Sequence, residues 1–243
     1  MEFDLVIALI AVLLSSILGA LSGFGGGILV MPFLVPLVGV KGVVPVMAVA
    51  MLIANFSRFW VYRTDVKSDI LVRIPLAVFP GVVLGAYIYQ LLPEQVVAVV
   101  IGIFLIGSIA LRRALKGRTI AFGPSGIVAW SFTFGVLTGS TPGAGVVLVV
   151  LLLGMGMSGP ALIATDAVVG MLTSVTKAVM FSRFDLLDQS SLMVGVLIGA
   201  ATIPGAFAAR WMIRNLSASI HVGLVEIMVV IAGASFLWRA WNG

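Results

Sequence analysis

Residues 22–32 read SGFGGGILVMP, and how this stretch is understood decides the fold. Four glycines (Gly23, Gly25, Gly26 and Gly27) fall in five positions, with Pro32 close behind, inside an otherwise apolar run. Glycine weakens a helix interior and proline normally ends one. In lipid every backbone N–H and C=O must find a partner within the protein or a water-filled cavity. A break placed here therefore belongs to a cavity.

Composition sets the frame for that break. Of 243 residues, 61% are hydrophobic and 9% charged, and the mean hydropathy is +1.25. Soluble domains carry about 25% charged residues, so the chain reads as all-α: a polytopic transmembrane helical bundle forming a single integral membrane domain over residues 1–243. The opening MEFDLVIALIAVLL is acidic and lacks a small-residue cleavage site, which predicts a retained helix rather than a signal peptide. With no cysteine, disulfides, thiolate chemistry and iron–sulfur clusters are excluded. One histidine, His221, cannot make a metal site alone. No GxxxxGK[ST] run is present, so this chain does not hydrolyse ATP. The expectation is a non-enzyme with no cofactor and no metal.

Measured against a bilayer core of about 30 Å, the apolar runs form eight blocks, near 4–40, 43–62, 70–92, 95–111, 120–155, 160–182, 190–212 and 217–239. The first and fifth are too long for one span, since 37 residues of helix would reach about 55 Å. Both hold glycines and a proline near the middle and are expected to be broken. Eight crossings with the N-terminus inside place eleven of the fourteen Lys and Arg on the cytoplasmic side. If both long blocks cross twice, the partition becomes ten against four. Trp60, Tyr62, Trp238 and Trp241 stand beside these charges as interfacial belts do, and Arg58 reads as one such anchor. The net charge of +5 is a topology signal, with no nucleic acid implied.

The two halves repeat. GALSGFGGGILV (19–30) aligns with GVLTGSTPGAGVV (135–147), Arg63 and Asp65 fall against Arg183 and Asp185, and VLGAYI (83–88) meets IPGAFA (203–208). Two four-segment repeats follow, 1–116 and 120–243, with the broken segments first and fifth. Paired interrupted segments at matching positions point to a transporter's substrate site. The glycine-rich first segment, its altered copy and the duplication resemble the sulfite exporter TauE/SafE family of membrane transporters across nearly the whole chain. The resemblance implies a carrier of sulfite or small organosulfonates, mainly outward, in the cell inner membrane. In the second motif Ser140, Thr141 and Pro142 replace glycines, which bears on the substrate more than on the fold.

The glycines then acquire a purpose. Amides that begin the second half-helix, after Gly27 and again near Gly143, turn positive dipole ends into the cavity and suit a small oxyanion. The site expected from the breaks comprises Gly23, Phe24, Gly25, Gly26 and Gly27 with Gly139, Ser140, Thr141, Gly143 and Gly145. The same glycine spacing also fits close helix packing. Asp166, Gly170, Thr173 and Lys177 share one face of a helix in the sixth block. Asp166 is assigned proton coupling or water orientation, and Lys177 attraction of anions, with snorkelling to the interface the alternative for Lys177. Asn55 serves as a hydrogen-bond donor to substrate or as interhelical glue. Glu226 is expected to pair with Arg210 or Arg214. The expected partners are a small inorganic or organosulfur anion and membrane lipid, with homo-oligomerisation left open. A passive anion channel and a non-transporting scaffold are the rival readings.

Overall fold

The computed structural model describes residues 30–115, 122–142, 144–212 and 218–242. Among them lie eight α-helices and no strand: α1 Met31–Tyr62, followed by a 3-10 turn Arg63–Asp65, then α2 Ser68–Leu91, α3 Glu94–Leu115, α4 Pro124–Ser140, α5 Gly145–Gly154, α6 Gly159–Arg183, α7 Gln189–Met212 and α8 Ala218–Asn242. The protein is an all-α membrane bundle. Four described segments, Met31–Asp65, Ile74–Leu91, Glu94–Leu111 and Gly159–Arg183, are long and apolar enough to cross a bilayer. Two buried hydroxyls turn back to their own backbone: Ser108 of α3 donates to the Leu105 carbonyl and Thr202 of α7 to that of Gly199, both at 2.6 Å. Each polar atom is thereby satisfied without water.

The first long block falls partly outside the described residues, including Gly23 to Gly27. Its end is visible. Gly39 has φ 68° and ψ 171°, which interrupts α1 in a conformation that glycine adopts without steric cost. Across the interruption the Val40 N–H donates to Glu94 Oε1 at 3.1 Å, so a carboxylate from the start of α3 caps the resumed helix. Lys41 Nζ donates to the Gln90 carbonyl at 3.1 Å, and the Tyr89 hydroxyl to the Lys41 carbonyl at 2.9 Å.

The fifth block is broken, as its length and composition predict. Helix α4 stops at Ser140, and α5 begins at Gly145. Between them Pro142 offers no N–H to continue a helix. Beyond the break the chain turns back. Trp130 Nε1 donates to the Val147 carbonyl at 2.9 Å, whereas seventeen residues of straight helix would separate them by about 25 Å. Helices α4 and α5 form a hairpin.

Helix directions agree. Gly81 and Gly85 of α2 meet Gly135 and Gly139 of α4 in the same order, and Gly195 and Gly199 of α7 meet Val49 and Ile53 of α1 likewise, so each pair runs parallel. Tyr87 and Tyr89 near the end of α2 stack edge-on with Phe184 and Phe181 near the end of α6, so that pair is also parallel. Helices α1 and α6 are antiparallel, with Arg58 against Asp166 and Asn55 against Gly170. Single crossings throughout would have the second and sixth blocks run the same way. The fifth block therefore starts and finishes at the same end of the bundle, running forward through α4 and turning back through the ten-residue α5. Arg58, Arg63 and Arg113 gather at one end of the bundle, and Lys41, Lys177, Arg183 and Arg239 lie toward the other. That arrangement corresponds to the ten-against-four partition.

Two apolar clusters hold the bundle. One joins Val43 to Ala50 of α1 with Tyr89, Ile101, Phe181 and Phe236; the other joins Ile74, Val78 and Val82 of α2 with Phe134, Leu148, Leu151 and Val169. Where α2 crosses α4 there is room only for glycine, because a Cβ added to Gly139 would lie 3.0 Å from the Gly85 Cα.

Asp188 begins α7. Its carboxylate accepts from the Ser191 N–H and the Ser190 hydroxyl, both at 2.8 Å, and these bonds hold its pKa down at about 2. Because the folded value is depressed, its stabilisation is complete above the unfolded value of about 3.9 and is lost as pH falls through about 2. Asp188→Ala is expected to lower the unfolding temperature in detergent at pH 7 and to match the parent below pH 2. A constant difference across that range would contradict the capping role.

Candidate functional site

Two structures supply functional groups: the tip of the α4–α5 hairpin and the seam between α1 and α6. At the tip, Thr141, Pro142 and Ala144 are buried, and the Thr141 hydroxyl donates to the Leu137 carbonyl at 2.7 Å. Ser140 likewise donates to the Val136 carbonyl at 2.9 Å. Both hydroxyls keep lone pairs, but their protons are committed to α4, so neither is a free donor toward an anion in this state. Gly139 is occupied by its contact with α2, and Gly143 lies outside the described residues. Gly145 differs from both. A Cβ built on it meets nothing within 4 Å, although its neighbours Ala144 and Val147 are buried. Gly145 itself is exposed and begins α5 at the positive end of the helix dipole, and of the first amides that of Val147 donates to the Ala144 carbonyl at 2.9 Å.

Along the seam, Asp166, Gly170, Thr173 and Lys177 occupy the α6 face turned to α1, as their spacing predicts. Asp166 Oδ2 accepts from Arg58 Nη1 at 3.2 Å, and the Arg58 guanidinium also donates to Asn55 Oδ1. Arg58 is thus more than the interfacial anchor expected from Trp60 beside it; that expectation is corrected by an ion pair joining two helices. Asn55 is buried against Gly170, where a Cβ would collide with its amide. Thr173 is buried and donates to the Gly170 carbonyl at 3.0 Å. Lys177 is 5% exposed and has no hydrogen-bond or ion-pair partner among the described residues. Burying an ammonium without a partner is costly; the fully enclosed polar atoms without a partner among the described residues are Ser131 Oγ and Thr165 Oγ1, so Lys177 Nζ keeps some accessible surface.

Lys177 and the hairpin tip lie at the same level of the bundle. Phe181, one turn beyond Lys177, packs on Tyr89 with ring centroids 5.3 Å apart, while Gly139 abuts the Gly85–Ala86 backbone one turn before Tyr89. Val146, in the first turn of α5, packs on the apolar cluster that contains Phe181 and residues Val43 to Ala50 of α1. Asp166 stands three turns away, toward the opposite end.

Two further features escaped the sequence reading. Arg113 of α3 pairs with Glu226 of α8, Nε lying 3.4 Å from Oε1, a partner for that carboxylate beyond the Arg210 or Arg214 that the sequence points to. At the end opposite Arg58, a cleft of about 860 Å³ opens between Gly39, Glu94, Gln95, Ser235, Arg239 and Asn242. Among the described residues no group of three His, Cys, Asp or Glu side chains could hold a metal ion.

The model of the family described as sulfite exporter TauE/SafE matches residues 7–236 of the chain. The chain belongs to the TauE/SafE sulfite exporter family. No curated protein and no solved structure matches it. Membership covers both long blocks, so the α4–α5 hairpin and the α1–α6 seam are parts of a TauE/SafE protein. TauE/SafE is a family of membrane transporters for anions rather than of enzymes.

Proposed function

We propose that this TauE/SafE protein is a multi-pass secondary transporter of the cell inner membrane that exports a small anion, sulfite or an organosulfonate. The anion is held between the first amides of α5 and the ammonium of Lys177. The observation that carries this reading is Lys177: a largely buried cation with no partner among the described residues, level with the start of a ten-residue helix whose first residue, Gly145, is exposed. Backbone amides and one lysine neutralise a small oxyanion without an acidic side chain to repel it.

Residues 1–116 and 120–243 act as two repeats. The glycines Gly23, Gly25, Gly26 and Gly27 with Phe24 supply from the first repeat what Gly143 and Gly145 supply from the second. Thr141 and Ser140 shape the tip, and Thr173 lines the approach to Lys177. Asp166 couples flux to protons. Support comes from the family, from the broken fifth block and from the alignment of the glycine motifs.

Purified protein reconstituted alone into liposomes is expected to move sulfite with saturable kinetics and to show counterflow, uptake of labelled sulfite driven by unlabelled sulfite inside. A pore gives flux without counterflow, and a scaffold gives none; either result contradicts the proposal. In the same assay Asp166→Asn is expected to flatten the pH dependence of flux, and an unchanged profile removes Asp166 from coupling.

A further inference from the structure

The pairing of Arg58 with Asp166 carries a second assignment, which rests on the transport reading above. We infer that Arg58 is an anion-binding station at the mouth of the α1–α6 seam, where a small oxyanion takes the place of the Asp166 carboxylate on the guanidinium. The pair lies at the end of the bundle gathered with Arg63 and Arg113, three turns of α6 from Lys177, on the same helix face. Arg58 is 40% exposed and Asp166 14%, so the guanidinium is reachable from outside while its carboxylate partner is largely covered.

A carboxylate and a sulfite-like anion present the same acceptor geometry to a guanidinium, two oxygens on one centre matched to two N–H groups. Only one Asp166 oxygen is engaged, through Nη1, and the other terminal nitrogen is turned to Asn55. The fork is therefore divided between two acceptors rather than closed on one carboxylate. An incoming anion that engages both nitrogens gains a bidentate contact that Asp166 lacks. Asn55, fixed by its packing on Gly170, keeps the guanidinium from leaving for the surface. The pair thus has two functions. With Asp166 in place the guanidinium is neutralised and α1 is tied to α6; with an anion in place that tie is released.

A purely structural ion pair behaves differently under substitution. Removing both charges together as Arg58→Met with Asp166→Leu leaves no uncompensated charge, and such replacements are neutral or stabilising for a structural pair. The inference predicts a folded double variant whose KM for sulfite rises tenfold or more. Asp166→Asn alone frees Arg58 and is expected to lower KM severalfold while kcat does not rise, because release becomes slower. Arg58→Lys keeps the charge and loses the fork, so its KM is expected to rise severalfold with folding unchanged, and it serves should either other variant fail to fold.

Each variant is measured by labelled sulfite flux in proteoliposomes, with melting temperature in detergent as the check on folding. A wild-type KM in the folded double variant or in Arg58→Lys, or an unchanged or raised KM in folded Asp166→Asn, overturns the assignment. Failure of the wild type to carry sulfite at all would instead overturn the transport reading, so the two failures are told apart by the unmodified protein.

Discussion

Lys177→Met is expected to reduce sulfite flux on the order of 100-fold while the protein folds as well as the parent or better. The two readouts move in opposite directions because Lys177 is buried and without a partner among the described residues. Replacing an uncompensated ammonium with an apolar chain of similar volume removes a desolvation cost. Removing the cation that pairs a buried anion costs about 2–5 kcal/mol of binding, which corresponds to the expected loss. Flux kinetics in proteoliposomes and the melting temperature in detergent check the two halves separately. Retained flux in a folded Lys177→Met protein would remove Lys177 from the path.

The second large effect separates two glycines six residues apart. Gly139→Val is expected to prevent assembly, since its Cβ would press on the Gly85 Cα and the Ala86 amide at 3.0 Å. Those are backbone atoms, which cannot swing aside as a side chain can, and overpacking costs about 1–3 kcal/mol even where neighbours adjust. Gly145→Val meets open space instead, with nothing within 4 Å, so folded protein is expected at parental yield. Its branched side chain stands where the anion would approach the first amides of α5, and flux is expected to fall to background. Monodispersity on size-exclusion chromatography reports the first effect and sulfite counterflow the second. A Gly145→Val protein with parental flux would mean that the open face of α5 binds nothing in transport.

Much of the fold is legible in the chain itself. Hydropathy gives a membrane bundle, and a 36-residue block containing Thr141-Pro142-Gly143 cannot be one straight span. The return of α5 along α4 is not legible locally, because crossing parity changes the basic-residue partition only from eleven-to-three to ten-to-four. The turn is fixed by contacts such as Trp130 to Val147 that no periodicity announces. Glycine spacing is similarly ambiguous. Gly139 and Gly145 both belong to the motif, yet one is filled by a neighbouring helix and the other faces space, a distinction set by α2. Arg58 beside Trp60 resembles an interfacial anchor, and its partner Asp166 is 108 residues away. The need of a buried acid for a cation holds for Asp166 as it does for Glu226, and Arg58 meets it. Glu94, which caps Val40 across 54 residues, left no sequence signal at all.

The account depends on an anion bound where α5 begins. Selenite has the shape and charge of sulfite and scatters X-rays anomalously, so an anomalous difference map from crystals soaked in selenite locates the site without substitution. The account predicts a peak within hydrogen-bonding distance of the Gly145 amide and of Lys177 Nζ. A peak confined to other parts of the bundle, or none at concentrations that saturate transport, would contradict it.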